Sequence, residues 1–231
     1  MLKANKLSMR YDNTLALNDL SFTVAPGEIF CLLGQNGAGK TTTINIFLGL
    51  LKPTSGEALI NDISVIEDTS IRRLIAYIPE IVQLYGNLSG LENLNFFSRL
   101  AGFVYTQEEL GSLLKRVNLE EVAHQNKLST YSKGMRQKVG IAIALAKKAS
   151  YILMDEPTSG LDPKASVEFA EICKELSADG VGVLMATHDI FNAVNIGSKI
   201  GIMREGALVH TAETSTISAQ ELQDLYIKTI N

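Results

Sequence analysis

Apolar and polar positions alternate along the chain in an order that predicts strands separated by helices. Short apolar runs predict strands at 20–24, 28–33, 58–60, 75–78, 151–154, 181–186, 199–203 and 207–210. The runs near 29, 151, 181 and 200 are apolar on both faces, which is typical of strands in a sheet covered on both sides. Helical periodicity at 40–50, 163–176 and 190–196 lies between several of these strands. This order predicts an α/β fold with a central parallel sheet.

The segment between 85 and 149 has a different pattern. Helical periodicity dominates at 88–101, 107–117 and 133–148, and the segment has no convincing strand. No linker rich in proline, glycine or serine separates it from the rest. We therefore predict one domain over 1–231, with a helical insertion at roughly 85–149.

Composition and charge narrow the class of protein. The chain has 231 residues, of which 46% are hydrophobic and 20% charged, as in an ordinary globular protein with a sizeable core. The net charge of −4 and the absence of a dense Lys/Arg run argue against nucleic acid as the main partner. Cys31 and Cys173 fall at apolar positions, so we expect reduced, buried thiols in a cytosolic protein. The longest apolar runs, such as 141–146, are far shorter than the roughly 20 residues that cross a bilayer.

The run G-Q-N-G-A-G-K-T at 34–41 is the strongest chemical signal in the chain. It follows the apolar run 29–33 and precedes a predicted helix, which is the context of a phosphate-binding loop (P-loop). Its glycines let backbone N–H groups point at anionic oxygens, and the start of the helix adds a positive dipole end. Lys40 is expected at the β- and γ-phosphates and Thr41 at Mg²⁺. The alternative, a plain glycine-rich turn, does not explain why motif and context agree.

The strand predicted at 151–154 ends in Asp155 and Glu156. Parallel strands place catalytic groups at their carboxyl ends, and these two acids would lie beside the P-loop. We expect Asp155 to hold the Mg²⁺ shell and Glu156 to accept a proton from the water that attacks the γ-phosphate. A solvated acidic strand end is the alternative interpretation.

Further motifs occur in an order that resembles the nucleotide-binding subunit of an ATP-binding-cassette (ABC) transporter over nearly the full chain. The sequence Y-S-K-G-M at 131–135 stands where the family has its signature motif, usually L-S-G-G-Q. The sequence S-G-L-D at 159–162 matches the family's D-loop, His188 its switch histidine, and Tyr11 its adenine-stacking aromatic residue. Each motif is weak alone, but their order and spacing are specific.

The resemblance implies a P-loop NTPase core with a parallel central sheet, an antiparallel β portion and a helical insertion. It implies that ATP and Mg²⁺ are bound and that ATP is hydrolysed. The residues it assigns to nucleotide binding are Tyr11, Gly34, Gln35, Asn36, Gly37, Ala38, Gly39, Lys40, Thr41, Thr42, Ser132, Lys133, Gly134 and Asp162. It assigns the metal to Thr41, Asp155 and Glu80, and catalysis to Glu156, His188 and Glu80.

Several of these residues also have ordinary structural interpretations. Lys133 replaces the first glycine of the family signature, and a phosphate contact and a solvent position are equally compatible with it. Asp162 precedes a proline and could simply cap a helix, and both roles are compatible. His188 could be an ordinary strand-end histidine. Tyr11 has the weakest local signal, because a strand-end tyrosine is nearly as common.

Glu80 is the main departure from the family pattern, which usually has glutamine at this position. A carboxylate keeps the oxygen acceptor, loses the amide donor and adds a charge. Such a glutamate resembles a family branch that is often linked to export. A solvent-facing loop carboxylate is the alternative.

The resemblance also implies partners. The signature motif of one subunit would cap the nucleotide of the other in a head-to-tail pair, and a separate membrane permease would be energised. Phe96 and Phe97 lie where the family receives a short helix of the membrane subunit, although core packing is the default for either. The expected location is the cytoplasm, peripheral on the inner face of the cell membrane. A non-transport ABC ATPase is the alternative function.

Overall fold

The computed structural model describes residues 1–230 and contains two β-sheets with helices around them. The strands are β1 (Leu2–Tyr11), β2 (Thr14–Val24), β3 (Ile29–Leu33), β4 (Ser55–Ile60), β5 (Ile63–Ser64), β6 (Ile75–Ile78), β7 (Tyr151–Asp155), β8 (Gly182–Thr187), β9 (Lys199–Arg204) and β10 (Ala207–Glu213). The helices are α1 (Lys40–Phe47), α2 (Gly90–Leu100), α3 (Gln107–Arg116), α4 (Lys133–Ala146), α5 (Pro163–Ala178), α6 (Ile190–Ile196) and α7 (Ala219–Ile230).

The larger sheet has the strand order β10-β9-β3-β8-β7-β6. Neighbours from β9 to β6 pair in parallel, and β10 pairs with β9 in the antiparallel sense. The smaller sheet has the order β2-β1-β4-β5 and is antiparallel throughout. This architecture is the predicted α/β class with a parallel central sheet and an antiparallel portion.

The core has two parts because successive side chains of a strand point to opposite faces. On β3, Cys31 packs with residues of the helices α2 to α6, whereas Phe30 and Leu32 pack with α1 and the antiparallel sheet. Both cysteines are buried and free, as expected, and burial raises the pKa of Cys31 to about 12. The sheet covered on both faces therefore explains the continuous apolar runs in the sequence.

The helices α2, α3 and α4 lie between β6 and β7 along the chain. Their starts follow the capping rules. Ser89 and Glu92 form a capping box at α2, and Thr106 and Glu109 form another at α3. Within the described residues, none of the helices combines the length and the apolar character that crossing a bilayer requires.

Several predicted boundaries were wrong. The helix predicted at 40–50 ends at Phe47, and the chain then turns through Gly49, which has a φ of 67°. The strand predicted at 20–24 begins earlier, at Thr14, as part of a hairpin with β1. The strand β1, the two-residue β5 and the helix α7 were missed.

Candidate functional site

The P-loop connects β3 to α1 at the carboxyl edge of the larger sheet. Gly39 precedes α1 with a φ of 102°, a conformation that side chains disfavour. A Cβ at Gly39 would also lie 2.6 Å from the carbonyl oxygen of Ala16. Glycine has no side chain to accept hydrogen bonds from the first turn of α1. The helix therefore begins with N–H groups directed at the cavity that the loop surrounds.

Lys40 is the first residue of α1, and its side chain is only 6% exposed. Its Nζ donates hydrogen bonds to the carbonyl oxygens of Gly34 at 2.5 Å and Gln35 at 3.3 Å. It also lies 3.5 Å from Glu156 Oε1. A buried ammonium with this partial pairing is available to an anionic ligand.

Asp155 ends β7, and its Oδ2 accepts a hydrogen bond from Thr41 Oγ1 at 2.9 Å. Two of the three predicted metal ligands are thus in contact. The pKa of Asp155 is raised, chiefly because burial disfavours the charged form, and the carboxylates of Glu156 and Glu80 add to the rise. The hydroxyl of Thr41 and the charge of Lys40 oppose it. A divalent cation would relieve this crowding of negative charge.

Glu156 is in the left-handed region, with a φ of 46°, and its N–H donates to the carbonyl oxygen of Ala186 on β8. One carboxylate oxygen, Oε2, lies 2.8 Å from His188 Nδ1 and accepts from the His188 backbone N–H at 3.3 Å. The other, Oε1, is buried and makes no hydrogen bond among the described residues. An unsatisfied buried acceptor at this position suits a group that receives a proton from a water molecule.

Glu80 follows β6 and is held by two residues from other segments. Its Oε1 accepts a hydrogen bond from Ser159 Oγ at 2.9 Å and lies 3.8 Å from Lys133 Nζ. Lys133 in turn donates to the carbonyl oxygen of Ser159 at 2.5 Å. Two of the departures from the family pattern, Glu80 and Lys133, therefore lie next to each other. The sequence is compatible with a phosphate contact or a solvent position for Lys133, and the structure shows a third arrangement, in which Lys133 contacts Glu80 and Ser159.

Most of the predicted residues line one of two cavities, whereas Gly34, Ala38, Lys133 and His188 line neither. The first, of about 470 Å³, is lined by Ala16, Gln35, Asn36, Gly37, Gly39, Lys40, Thr41, Thr42, Glu80, Asp155 and Glu156. The second, of about 260 Å³, includes Ser132, Gly134 and Asp162 in its lining. Ser132 and Asp162 also cap α4 and α5, where their side chains accept from the N–H groups of Met135 and Ala165.

Tyr11 is not among the residues that line the first cavity. It ends β1, pairs with Thr14 across the hairpin and is partly exposed. Ala16 of β2 lines the cavity instead. No pattern in the sequence indicates Ala16, because its position depends on how β2 passes over the P-loop.

The first cavity fits a nucleotide with a divalent cation. Thr41 and Asp155 offer adjacent oxygen ligands, and Lys40 and the start of α1 offer positive charge. No group of three or more His, Cys, Asp or Glu side chains within 1–230 could hold a metal unaided. Mg²⁺ usually keeps several waters and takes further oxygens from a bound phosphate, so the two adjacent oxygen ligands of Thr41 and Asp155 match its needs.

Gln137 was missed by sequence reasoning. It lies one turn after Lys133 on α4 and is almost fully buried. Its Nε2 lies 3.2–3.3 Å from the carbonyl oxygens of Pro79, Glu80 and Pro157. The available signal was its helical spacing, which puts Gln137 on the same face as Gly140, Ile141 and Ala144.

Comparison with known proteins places this geometry in a family. The ABC transporter family model matches residues 17–159. The uncharacterized ABC transporter ATP-binding protein YxlF of Bacillus subtilis is 35% identical over 98% of this chain and 75% of its own length. The linearmycin resistance ATP-binding protein LnrL of the same organism is 32% identical over 90% of this chain and 68% of its own length. The chain spans 63% or less of the length of several other curated relatives.

A solved structure supports the fold independently. The dimeric structure of a post-hydrolysis state of the ATP-binding cassette MJ0796, bound to ADP and Pi, superposes with a TM-score of 0.81 at 30% identity. The match covers 93% of this chain and 99% of that one. The architecture is therefore that of an ABC ATPase cassette, with the P-loop NTPase fold. The chain belongs to the ABC transporter family, as an ATP-binding protein of that family.

Proposed function

We propose that this chain binds ATP with Mg²⁺, hydrolyses it to ADP and phosphate, and so drives transport by a separate membrane permease. The observation that carries the proposal is the convergence of Lys40, Thr41, Asp155 and Glu156 on one cavity. A buried cation, two adjacent metal ligands and an unsatisfied carboxylate oxygen are the groups that phosphoryl transfer to water needs.

Each of these groups has a role in the proposed reaction. The P-loop N–H groups and Lys40 bind the β- and γ-phosphates, and Thr41 and Asp155 hold Mg²⁺. The metal, when bound, neutralises charge on the phosphate oxygens. Glu156 accepts a proton from the attacking water at Oε1, while His188 holds Oε2 at 2.8 Å. Glu80 lines the cavity, where it would contact the metal or the water.

The second cavity supports action as a pair. Ser132, Gly134 and Asp162 line a cavity separate from that of the P-loop. In a head-to-tail pair, they would meet the nucleotide bound by the partner's P-loop. The dimeric MJ0796 cassette supports such a pair. We propose a homodimer that encloses two ATP molecules.

An exposed aromatic cluster supports a membrane partner. Tyr85, Phe96 and Phe97 have ring centroids 5.1–6.0 Å apart, and Tyr85 and Phe96 are 48% and 42% exposed. Leu100, one turn after Phe96 on α2, is exposed as well. Apolar surface of this kind marks an interaction site, and here it would receive a helix of the permease. The protein would then be cytoplasmic and peripheral on the inner face of the membrane.

Two observations support export as the direction of transport. Glu80 resembles the branch of the family often linked to export, and LnrL is named as a resistance protein. We therefore propose export. The sequence has a net charge of −4 and no dense run of Lys or Arg, and nucleic acid is not among the proposed partners.

The nucleotide claim is tested by Lys40→Ala. We expect the variant to bind ATP about 10- to 100-fold more weakly, because a charged hydrogen-bond donor to phosphate is lost. Binding is measured with a fluorescent ATP analogue and hydrolysis by phosphate release. Lys52→Ala, which removes an exposed lysine, is the matched control and should behave as wild type. Equal affinity in the wild-type and Lys40→Ala proteins would remove the claim.

The transport claim is tested by isolating the tagged protein from native membranes. Co-purification of a polytopic membrane protein in constant proportion is the expected result. Recovery of an active ATPase without membrane protein would favour the alternative, an ABC ATPase that acts away from transport.

A further inference from the structure

One face of α4 is in contact with both loops that carry the acidic residues of the P-loop cavity. Lys133 and Gln137 lie one turn apart and therefore share a face. Lys133 contacts Glu80 and Ser159, and Gln137 contacts the backbone of Pro79, Glu80 and Pro157. The loop after β6 and the loop after β7 are thus attached to the same helix.

The charges around the cavity explain why such an attachment matters. Three carboxylates line it, those of Glu80, Asp155 and Glu156, whereas Lys40 is the lysine in its lining. A nucleotide adds further negative charge. A carboxylate at position 80 therefore repels the ligand, unless a nearby cation offsets its charge.

We propose that Lys133 is that cation: a positioning residue that pairs with Glu80 and makes this glutamate compatible with an anionic nucleotide. This rests on the proposed function, because it concerns the same nucleotide cavity. Ser159 completes the arrangement, since its hydroxyl donates to the oxygen of Glu80 that faces Lys133 and its carbonyl accepts from Lys133. One carboxylate oxygen of Glu80 is thereby held, and the other stays available to the cavity.

Gln137 gives the pair a fixed frame. Its amide nitrogen is shared among three carbonyl oxygens, and its Oε1 is buried without a hydrogen-bond partner among the described residues. Exchanging the amide oxygen and nitrogen would place the oxygen against three carbonyls, so the orientation is determined. The backbone of Glu80 is therefore held by the same helix that supplies its counter-ion.

The pair also accounts at once for two of the departures from the family pattern, those at positions 80 and 133. Glutamine at position 80 would need no counter-ion, and glycine at position 133 would supply none. Glutamate and lysine together have the same net charge, zero, as glutamine and glycine at these two positions. The side chains of Lys133 and Glu80 are 31% and 51% exposed, so solvent and salt screen the pair and its effect on affinity is modest.

The test is a double-mutant cycle of Lys133→Met, Glu80→Gln and the double variant in the full chain. The readout is the affinity for a fluorescent ATP analogue in EDTA, without metal and without turnover. We expect Lys133→Met to weaken binding about two- to five-fold in the wild-type background, and to have little effect beside Glu80→Gln. Lys133→Arg should retain wild-type affinity, and the coupling should fall at high salt.

Two outcomes would overturn the proposal. An equal loss from Lys133→Met in both backgrounds would mean that Lys133 acts on the nucleotide directly. If Lys133→Met loses no affinity in either background, the ion pair has no effect on nucleotide binding. A matched control is Lys199→Met, because Lys199 is 30% exposed and lies 3.8 Å from Glu213, away from the cavity lining. Thermal midpoints of all variants reveal any general loss of fold.

The same experiment distinguishes failure of the proposed function from failure of the role of Lys133. If the wild-type protein binds no ATP analogue, the proposed function fails. If it binds and the cycle shows no coupling, only the role of Lys133 fails.

Discussion

Two helices begin beside residues predicted to meet phosphate, and their first turns are built differently. The helix α1 follows Gly39, which offers no side-chain cap. The helix α4 follows Ser132, whose hydroxyl accepts a hydrogen bond from the Met135 N–H at 3.2 Å. The first turn of α1 thus depends on a ligand for partners, whereas that of α4 is partly satisfied by its own chain.

In the proposed pair, this difference between the starts of α1 and α4 separates the step that one subunit can carry out from the step that needs two. The P-loop supplies backbone N–H donors and Lys40 a buried ammonium within one chain, so nucleotide binding should not need a partner. The start of α4 lines another cavity and would contact phosphate only when two subunits pair. Substitutions at the two helix starts should therefore affect different steps.

The largest expected effect is that of Glu156→Gln, on the α1 side. The variant should bind ATP normally but hydrolyse it roughly 10²- to 10⁴-fold more slowly, because the proton acceptor is lost. Uncleaved ATP should then trap the pair, and light scattering with saturating ATP and Mg²⁺ should show a dimer. A variant that remains monomeric would contradict the pairing model, and wild-type turnover would move the base role to another residue.

Next in size is Gly134→Asp, on the α4 side. A carboxylate beside the partner's phosphate should reduce hydrolysis at least about 100-fold, while a single chain binds ATP normally. Gly134→Ala is the matched control: its Cβ meets Ala165 Cβ at 3.2 Å but adds no charge, so it should retain far more activity. If Gly134→Asp still hydrolyses ATP, or if it loses ATP binding as well as hydrolysis, the two helix starts do not act in different steps.

The smallest effect is on stability and comes from Asp155→Asn. The folded-state pKa of Asp155 is raised above its unfolded value, so stability is lost as the pH rises from the unfolded to the folded pKa. Asparagine does not ionise, so Asp155→Asn does not lose stability in this way as the pH rises. In EDTA at neutral pH it should melt at a higher temperature than wild type, and the gap should narrow as the pH falls toward about 4.

Asp62→Asn is a suitable control for Asp155→Asn, because Asp62 is exposed and has a φ of 62°, which asparagine tolerates. Its melting temperature should stay close to that of wild type at neutral pH. An Asp155→Asn protein that is less stable than wild type at neutral pH would show that the crowded carboxylates do not destabilise the metal-free form.

The sequence predicted the sheet and the P-loop because their signals are local. Residues 29–33 are apolar on both faces, and the glycines and Lys40 follow at fixed spacing. Signals broken by irregular pairing were missed. The strand β1 shifts register against β2 between Ala4 and Leu7, which disrupts the alternation a strand would show. In α7, Leu222 and Tyr226 were helically spaced, so that signal was present but unused.

The pairing of Glu80 with Lys133 could not be predicted from the sequence. The two residues are far apart along the chain and meet only because α4 packs against the loop after β6. The same holds for Ala16 in the cavity lining. Position in a motif indicates which residues carry chemistry, but tertiary packing decides which neighbours balance their charges.

The turn between β9 and β10 has a consequence for how the protein is made. Gly206 donates to the carbonyl oxygen of Ala38 in the P-loop and accepts from the N–H of Asn18. The strand β3, which leads into the P-loop, pairs with β8 and β9. A ribosome therefore releases the P-loop long before its supports exist. A nascent chain should bind ATP only after residues 199–206 have emerged, and until then its apolar β3 depends on protection from aggregation.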